Sequence, residues 1–537
     1  MTPLRCIRRI LLGLPLLCPI TAWAFGEVFD VREATIASVH DALFTGKTRC
    51  RDIVSSFIAR IEEFNPAINA VISLNPAALS DADNLDDRLM AGNTTGALFC
   101  VPVLLKDNFD AVGMSTTGGC KALAGNKPLE DAPTVKALKD AGAVILGKTN
   151  LHEMALEGLT VSSLGGQTLN PYDLTRTPGG SSGGSGAAIA ANMAILATGT
   201  DTKNSLRSPA SANALFSFRP TRGLISRAGV IPVSWTQDAV GAMARNPQDL
   251  AVALTVMASV GSDPRDNATA LVHPEVRKID YLASLRGGSL TGLRLGLLDG
   301  FFDHTVSDET TPVNDVMADM VAMLTAAGVD VVNITDPLYD SLAISELNVE
   351  GFEFREMLDA HLGATASVQD ERPINFNDLY DSGQYLVIPA QHGLIRSASH
   401  LSTGDAAYAE TLDGIRDLTR ALEATFEGNG LDGIIYPEQK NLVVKVGSPS
   451  QSGRNGILAA LTGFPVVCVP AGFSSPSADA PLGVPVGMEI LGRPWSEDLL
   501  LNIARHIDEL MHTVEPRVYD NVPSITPNVA SIPDAYP

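Results

Sequence analysis

Charged and aromatic residues are scarce in this chain, and acids dominate its charge. Of 537 residues, 18% are charged and 5% aromatic, while 45% are apolar. So large an apolar fraction excludes an intrinsically disordered chain, and the 47 glycines lack the three-residue period of collagen. A formal net charge of −23 repels phosphate backbones, so we predict no nucleic-acid partner. The length suffices to bury a large hydrophobic core.

Long apolar runs are also absent. No stretch reaches the roughly 18 apolar residues of a membrane span, so we predict no stable span in the mature protein. Residues 1–24 carry three arginines, an interrupted apolar run at 10–20 and the A-x-A motif at 22–24. This pattern predicts a signal peptide cleaved after about Ala24, and hence a periplasmic or extracellular protein. An uncleaved anchor and a twin-arginine signal at Arg8-Arg9 are the alternatives.

Cysteine is rare, and the spacing of the cysteines matches no metal or redox motif. We predict neither a metal nor an organic cofactor, because the nine histidines are scattered and His152-Glu153 lacks the second histidine of a zinc motif. Export permits a disulfide, but the sequence leaves its pairing open. Cys468 lies in an apolar run, which predicts a buried free thiol. Four cysteines remain after signal removal: Cys50, Cys100, Cys120 and Cys468.

Short apolar runs alternate with stretches of helical periodicity, which predicts an α/β fold. The strand candidates are residues 101–105, 144–146, 293–298, 329–334, 433–436 and 465–469. The helix candidates are residues 32–44, 51–64 (ended by Asn65-Pro66), 186–196, 312–327, 407–427 and 497–511.

Two local motifs point to other classes of protein. Residues 142–149 match the phosphate-loop pattern, but the Ala-Val-Ile-Leu between its glycines is itself a strand, where a phosphate loop needs a flexible turn. Residues 179–183 match the nucleophile elbow of α/β-hydrolases, but a loop, not a strand, precedes them. We keep nucleotide binding only as an alternative, in which Lys148→Ala would remove nucleotide affinity.

A longer set of residues indicates a chemistry other than nucleotide binding or a Ser-His-Asp triad. It consists of Lys106, the glycine-rich residues 179–184, and residues 199–207. A serine nucleophile needs a base, and a lysine serves if its ammonium loses its proton. Burial favours that loss, and Lys106 follows the apolar run Val-Pro-Val-Leu-Leu at the end of a predicted strand. The glycine-rich turn lets backbone N–H groups approach the reacting centre. A second serine can relay a proton between the lysine and the nucleophile.

At these residues the chain resembles the amidase signature family, the Ser-Ser-Lys amide hydrolases. The resemblance covers about residues 33 to 515 and includes the segments 65–70, 101–108, 147–150, 166–171, 237–245, 461–465, 469–472 and 483–487. It implies one large α/β domain at 25–537, with a twisted mixed β-sheet covered by helices on both faces and its core motifs at about 100–250. Residues 345–405, rich in Phe, Tyr and acids, are predicted to be an insertion near the site entrance, and the Pro-rich residues 516–537 a surface tail.

The resemblance also implies a role for each matching residue. Ser205 corresponds to the nucleophile, Ser181 to a bridging serine on a cis peptide bond, and Lys106 to the base. The further assignments are the backbone N–H groups of Thr202, Lys203, Asn204 and Ser205 as the oxyanion hole, Ser182, Asp201 and Arg207 as supporting residues, and Met154, Ala155, Leu156 and Glu157 as part of the substrate pocket.

The chain departs from the family's pattern at two places. Lys203-Asn204 precede the nucleophile where relatives carry Gly-Gly or Asp-Gly; if the backbone there needs a positive φ, asparagine is the best substitute for glycine. Phe99-Cys100 stand where relatives often carry His-Gly. We expect that change to adjust packing or a wall of the site.

We therefore hypothesise an exported hydrolase of a small-molecule or peptide amide. Export argues against a glutaminase subunit of a tRNA amidotransferase. The alternatives are a catalytically weak binding or partner subunit, motivated by Lys203-Asn204, and an esterase or carbamate hydrolase on the same triad. The sequence leaves the oligomeric state open. Four aromatic residues of the insertion either wall an apolar pocket or, as we favour, form its own small core: Phe352, Phe354, Tyr380 and Tyr385.

Overall fold

The structure, a computed structural model, describes residues 29–368 and 372–514, so the predicted signal peptide and C-terminal tail lie outside the described residues. The strands are β1 Val71–Leu74, β2 Pro102–Lys106, β3 Val144–Thr149, β4 Val161–Ser162, β5 Gly166–Gln167, β6 Leu196–Asp201, β7 Phe216–Arg219, β8 Ala239–Ala244, β9 Arg294–Leu298, β10 Asp330–Ile334, β11 Gly433–Pro437, β12 Val466–Phe473 and β13 Pro485–Leu491. The α-helices are α1 Ile36–Phe44, α2 Cys50–Ile68, α3 Ala78–Met90, α4 Pro133–Asp140, α5 Gly183–Ala190, α6 Arg207–Ala212, α7 Pro247–Ala258, α8 Tyr281–Ser284, α9 Thr311–Ala326, α10 Ser341–Ser345, α11 Glu350–Ala364, α12 Phe376–Asp381, α13 His392–His400, α14 Ala406–Asn429, α15 Ile457–Thr462 and α16 Glu497–Val514.

Eleven strands form one mixed sheet in the order β1-β3-β2-β6-β8-β7-β12-β13-β11-β9-β10. At one end β2 runs parallel to β3 and β6. The strands from β6 through β8, β7, β12 and β13 to β11 pair antiparallel, and β11, β9 and β10 are again parallel. Helices flank this sheet, which confirms the predicted α/β fold with a mixed sheet. None of the helices in the described ranges is long and apolar enough to cross a membrane.

Most strands in the middle of the sheet are buried along their whole length. Every residue of β2, β3, β6, β7, β8 and β13 is buried. A strand covered on both faces is typically a continuous apolar run, which is why β2 and the start of β3 could be predicted. The strands β6 and β8 are built from Ala, Gly and Thr with few large side chains, so their sequences did not indicate strands.

Three predicted helices have different bounds in the structure. The helix expected at 32–44 begins only at Ile36. Helix α2 does not end at Asn65-Pro66 but continues one turn, because the Asn65 side chain accepts hydrogen bonds from the N–H groups of Ala70 and Val71 (both 2.8 Å) and stabilises the chain reversal. The helix ends at Ile68 and is capped by Asn69, with φ 58°. The helix expected at 186–196 begins and ends earlier, at 183–190, and Leu196 already opens β6.

The described residues of the segment 345–405 form helices that pack on the rest of the domain. Phe354, Leu358 and Leu362 of α11 share one apolar cluster with Phe376 of α12. Tyr380 contacts Phe376, with ring centroids 4.6 Å apart, so the predicted small aromatic core is present in this segment. The same cluster includes residues 154–156 of the predicted substrate pocket, whereas Phe352 packs against Tyr408 of α14.

A disulfide joins Cys50, the first residue of α2, to Cys100, just before β2. It explains the departure at Phe99-Cys100, where the cysteine replaces the glycine that relatives often carry. The other two cysteines of the described chain, Cys120 and Cys468, are free and buried, which confirms the prediction for Cys468. The pairing left open by the sequence is thus Cys50 with Cys100.

Removal of this disulfide is expected to destabilise the fold. Closing a loop of 50 residues restricts the unfolded chain, so the Cys50→Ser/Cys100→Ser variant should lose about 2–4 kcal/mol of unfolding free energy. Urea denaturation checks this. Reducing agent should lower the midpoint of the parent but not that of the variant; equal midpoints for parent and variant under oxidising conditions would contradict the expectation.

Candidate active site

Lys106 is the last residue of β2, and its side chain is fully buried. Its ammonium nitrogen lies 2.8 Å from Ser181 Oγ and 2.7 Å from Thr200 Oγ1. Asn108 also donates to Thr200 Oγ1, at 3.1 Å. The lysine therefore has two hydroxyl partners and, among the described residues, no carboxylate within hydrogen-bond distance.

The buried setting of Lys106 favours its neutral form. Burial lowers the pKa of Lys106 to about 7, against the opposing influence of Asp201 and Asp238. A substantial fraction of the amine is then unprotonated at neutral pH. A neutral amine can donate one N–H to Thr200 while its lone pair accepts the Ser181 hydroxyl proton. This arrangement has the chemistry of a general base connected to a hydroxyl relay.

Ser181 follows a glycine turn and precedes helix α5. The peptide bond between Gly180 and Ser181 is cis, as the resemblance implied. Gly179 has φ 69°, and a Cβ at Gly184 would lie 2.2 Å from the carbonyl oxygen of Asn150. Glycine is therefore required on both sides of Ser181, for conformation at one and for close packing at the other.

Ser205 lies directly after the loop that follows β6, and it is joined to the Ser181 segment through the backbone. The N–H of Ser182 donates to the carbonyl of Ser205 at 3.2 Å. Ser182 Oγ in turn donates to the carbonyl of Thr200 at 3.2 Å. Ser205 is 5% exposed. The structure thus brings together Lys106, Ser181 and Ser205, from three separate parts of the chain.

We call residues 202–205 the oxyanion loop. Within the described part of the chain, the backbone N–H groups of Lys203, Asn204 and Ser205 donate to no protein acceptor. Buried backbone N–H groups are nearly always paired, so this group of free donors beside a serine is suited to bind a developing oxyanion. Neither Lys203 nor Asn204 has a positive φ, so the loop does not require glycine there.

Buried charged side chains stabilise the oxyanion loop. Arg207 donates to both carboxylate oxygens of Asp201 (3.0 Å each), to Glu489 (2.7 Å) and to the carbonyl of Lys203. Arg219 donates to Asp201 at 2.7 Å. Although burial opposes its ionisation, these two arginines lower the pKa of Asp201 to about 2. Asp201 is therefore a permanent anion around which the loop is organised.

Loss of Arg207 is expected to destabilise the protein. The Arg207→Met variant leaves Glu489 without its cation and Asp201 with one arginine instead of two, a loss worth about 3–5 kcal/mol in unfolding free energy. Chemical denaturation checks the value. Arg265→Met is the matched control, because Arg265 pairs with Asp263 but its side chain is 55% exposed. A loss below about 1 kcal/mol for Arg207→Met would contradict the expectation.

Two further side chains contact the oxyanion loop from outside. Lys203 Nζ lies 2.6 Å from a carboxylate oxygen of Glu350, the first residue of α11. Asn204 Oδ1 accepts a hydrogen bond from Arg454 at 3.2 Å, and Arg454 pairs with Glu157 at 3.0 Å. Glu157, at the end of the predicted pocket segment 154–157, is thereby connected to the loop. Met154, Ala155 and Leu156 are buried against α11 and its neighbours.

Several residues of the site had not been identified from the sequence. Thr200 lies within the segment 199–207, and its position near the end of β6 could have indicated it. Arg219, Arg454 and Glu489 lie in strands or loops without any distinctive local pattern. Their roles depend on contacts between segments that are distant in sequence, which a single sequence does not reveal.

The two competing motifs do not form the sites their patterns describe. Residues 144–149 are strand β3, and Lys148 is fully buried, donating to the carbonyl of Phe109 (2.7 Å) and pairing with Asp107 (3.3 Å). No strand of the described chain leads directly into residues 179–183. Within residues 29–368 and 372–514, no three His, Cys, Asp or Glu side chains converge as a metal site requires.

Comparison with known proteins identifies relatives along most of the chain. The family model Amidase matches residues 52–501. One glutamyl-tRNA(Gln) amidotransferase subunit of Acinetobacter baumannii is 32% identical over 491 residues, covering 89% of this chain and 96% of that protein. Its counterpart in Azoarcus sp. is 34% identical, covering 89% and 97%. The peptide amidase of Stenotrophomonas maltophilia has a similar structure, with a TM-score of 0.78, 32% identity and coverage of 89% and 96%.

Proposed function

This chain belongs to the amidase family and is an amide hydrolase, and from this premise we propose that it is an exported enzyme that cleaves carboxylic amides with Lys106, Ser181 and Ser205. The observation that supports the mechanism most strongly is the 2.8 Å contact between the buried Lys106 amine and the Ser181 hydroxyl. No metal or organic cofactor takes part in the proposed reaction.

The proposed reaction begins with a proton relay. Neutral Lys106 accepts the proton of the Ser181 hydroxyl while Ser181 accepts that of Ser205. Ser205 Oγ forms a bond to the carbonyl carbon, and the electron pair of the C=O bond moves to its oxygen. The N–H groups of the oxyanion loop donate to that oxyanion. Because these hydrogen bonds strengthen only as negative charge develops, they stabilise the transition state more than the bound substrate.

The second half of the reaction returns the protons. The C–N bond breaks as the proton held by Lys106 passes through Ser181 to the leaving nitrogen, and ammonia or an amine departs. Water then attacks the acyl group on Ser205, losing its proton through the same relay. The carboxylic acid is released, and Ser205 regains its hydroxyl proton.

The proposed substrate is an external amide, such as a peptide amide or a xenobiotic amide. The signal-like residues 1–24 support an exported enzyme, and the structural similarity to a peptide amidase supports a peptide amide as the substrate. The relatives from Acinetobacter baumannii and Azoarcus sp. are, by their names, subunits of a glutamyl-tRNA(Gln) amidotransferase. A net charge of −23 supports neither a tRNA partner nor a nucleic-acid surface.

Release of ammonia or amine from a panel of amides tests the proposal. The panel contains aliphatic amides, aryl amides, peptide C-terminal amides, anilides and carbamates, with Ser205→Ala as the blank. The matching esters are tested in parallel, and for these the released alcohol is measured. The proposal predicts turnover of at least one amide class above the blank. Turnover of esters alone would favour an esterase, and a folded parent that binds amides without turnover would favour a binding or partner subunit.

A further inference from the structure

Lys203 connects the oxyanion loop to the insertion at residues 345–405. Its ammonium nitrogen lies 2.6 Å from Glu350, and the side chains are 34% and 5% exposed. Glu350 is the first residue of α11, where a negative charge is favourable at the helix N-terminus. Asn348 also donates to Glu350 at 3.0 Å, so the carboxylate is well oriented toward the lysine.

A second connection runs beside the ion pair. Gln237 donates to the carbonyl of Thr202 at 3.3 Å and accepts from the N–H of Val349 at 3.0 Å. One side chain thus contacts both the start of the oxyanion loop and the residue that precedes α11. The loop and the N-terminus of α11 are therefore joined at two adjacent points, residues 202–203 and residues 349–350.

The first turn of α11 is itself anchored to the core. Glu353 accepts hydrogen bonds from Thr236 and from the hydroxyl of Tyr408 at 2.6 Å. The loop also has a second packing contact, since a Cβ at Gly456 would lie 2.5 Å from Asn204 Cβ and the turn at Gly456 therefore packs tightly against Asn204. The oxyanion loop thus contacts both the Gly456 turn and α11, and Lys203 makes the ion pair with α11.

We infer that Lys203 is a positioning residue whose ion pair with Glu350 sets the orientation of the oxyanion-loop N–H groups and makes that orientation depend on the placement of the insertion. The lysine stands where the resemblance to the family implies glycine or aspartate, and its side chain connects the loop to α11. Glu350 neutralises the charge that the lysine brings to the loop. This inference rests on the proposed role of residues 202–205 as the oxyanion hole.

The inference predicts an effect on kcat rather than on substrate binding. Donors to an oxyanion act in the transition state, and small displacements of catalytic groups are costly. Lys203→Met and Glu350→Gln are therefore each expected to lower kcat about 10-fold, with KM within about twofold of the parent. Lys203→Arg should retain most of the parent kcat, because it preserves the ion pair.

A double-mutant cycle on the full-length enzyme tests the pairing. The Lys203→Met/Glu350→Gln variant should lose about as much kcat as either single variant, because one interaction is removed in all three. Lys139→Met is the matched control, since Lys139 pairs with Asp131 at 2.7 Å with side chains 32% and 18% exposed and lies outside the site. It should behave as the parent.

The outcomes of the cycle separate this inference from the proposed function. Additive losses in the double variant, a parent-like kcat for Lys203→Met, or a loss confined to KM would each overturn the positioning role. Those results can be obtained while Ser205→Ala is inactive, which leaves the proposed function standing. If the parent and Ser205→Ala have equal activity, the proposed function itself fails. Thermal unfolding of each variant verifies that the proteins compared are folded.

Discussion

The Ser205→Ala variant is expected to lose amide hydrolysis by a factor on the order of 10⁶ while remaining folded. The alanine removes the oxygen that bonds to the carbonyl carbon, so no acyl-enzyme can form. Free N–H groups of the oxyanion loop remain and can still polarise a bound amide, which leaves a residual rate above that of water. Steady-state release of ammonia or amine from the best panel substrate measures the loss.

A second buried serine provides the control for this prediction. Ser217 lies in β7, is fully buried, and its hydroxyl has no hydrogen-bond partner in the described structure. Ser217→Ala also removes a serine hydroxyl from a buried position, and this variant should keep the parent rate. If Ser205→Ala retained more than about a tenth of the parent rate, Ser205 would not be the nucleophile.

The Lys106→Met variant is expected to lose about 10⁴-fold in kcat without loss of stability. Methionine matches the length of the lysine stem but offers no base, so Ser181 cannot pass on its proton. Since the lysine is buried without a carboxylate partner among the described residues, an apolar replacement costs little or even stabilises the fold. Activity and urea denaturation, measured on one preparation, check both parts. Activity within about tenfold of the parent would exclude Lys106 as the base.

The pH dependence of the parent follows from the same lysine. Only the neutral amine accepts a proton, and the pKa of Lys106 is lowered to about 7. The value of kcat/KM should therefore rise with pH through a midpoint near 7 and fall about tenfold per pH unit below it. A profile that is flat across this range would mean that no group of this kind controls the reaction.

The position of the base, Lys106, could be predicted from the sequence because the residues just before it indicate a buried strand. An uninterrupted apolar run before Lys106 predicted a buried strand, and burial is the physical reason for its lowered pKa. The glycine-rich segment around Ser181 could also be recognised, since Gly179 before it has a positive φ and close packing at Gly184 after it leaves no room for a side chain. Local composition and chemistry thus indicated Lys106 and the glycine-rich segment, and the resemblance to the family identified Ser181 within that segment.

Contacts between distant segments could not be predicted. Cys50 and Cys100 pair because α2 ends up beside the start of β2, and the spacing of four cysteines does not specify that choice. The partner of Lys203 lies in a helix far along the chain, so the sequence showed only an unusual residue next to the nucleophile. Helix α2 continues beyond Pro66, and the Asn65 side chain accepts a hydrogen bond from the N–H of Ala70 after the helix. Helix propensities of single residues do not predict such a contact.

The departure at Lys203-Asn204 has a physical explanation that is compatible with an active enzyme. Neither residue needs a positive φ, and both side chains have partners, Glu350 and Arg454. The loop is thus ordered by contacts instead of by glycine. This arrangement supports the hydrolase over the binding-protein alternative, because the three free N–H groups beside Ser205 are retained.

Trapping the acyl-enzyme tests the Ser-Ser-Lys mechanism most directly. The parent is mixed with the best panel substrate, quenched in acid during turnover, and digested with trypsin for mass spectrometry. Cleavage after Arg176, Lys203 and Arg207 separates Ser205, in the peptide 204–207, from Ser181, in the peptide 177–203. We predict the acyl mass on the peptide 204–207 and its absence in Ser205→Ala. An acyl group on the peptide 177–203, or turnover with no acylated peptide, would contradict the mechanism.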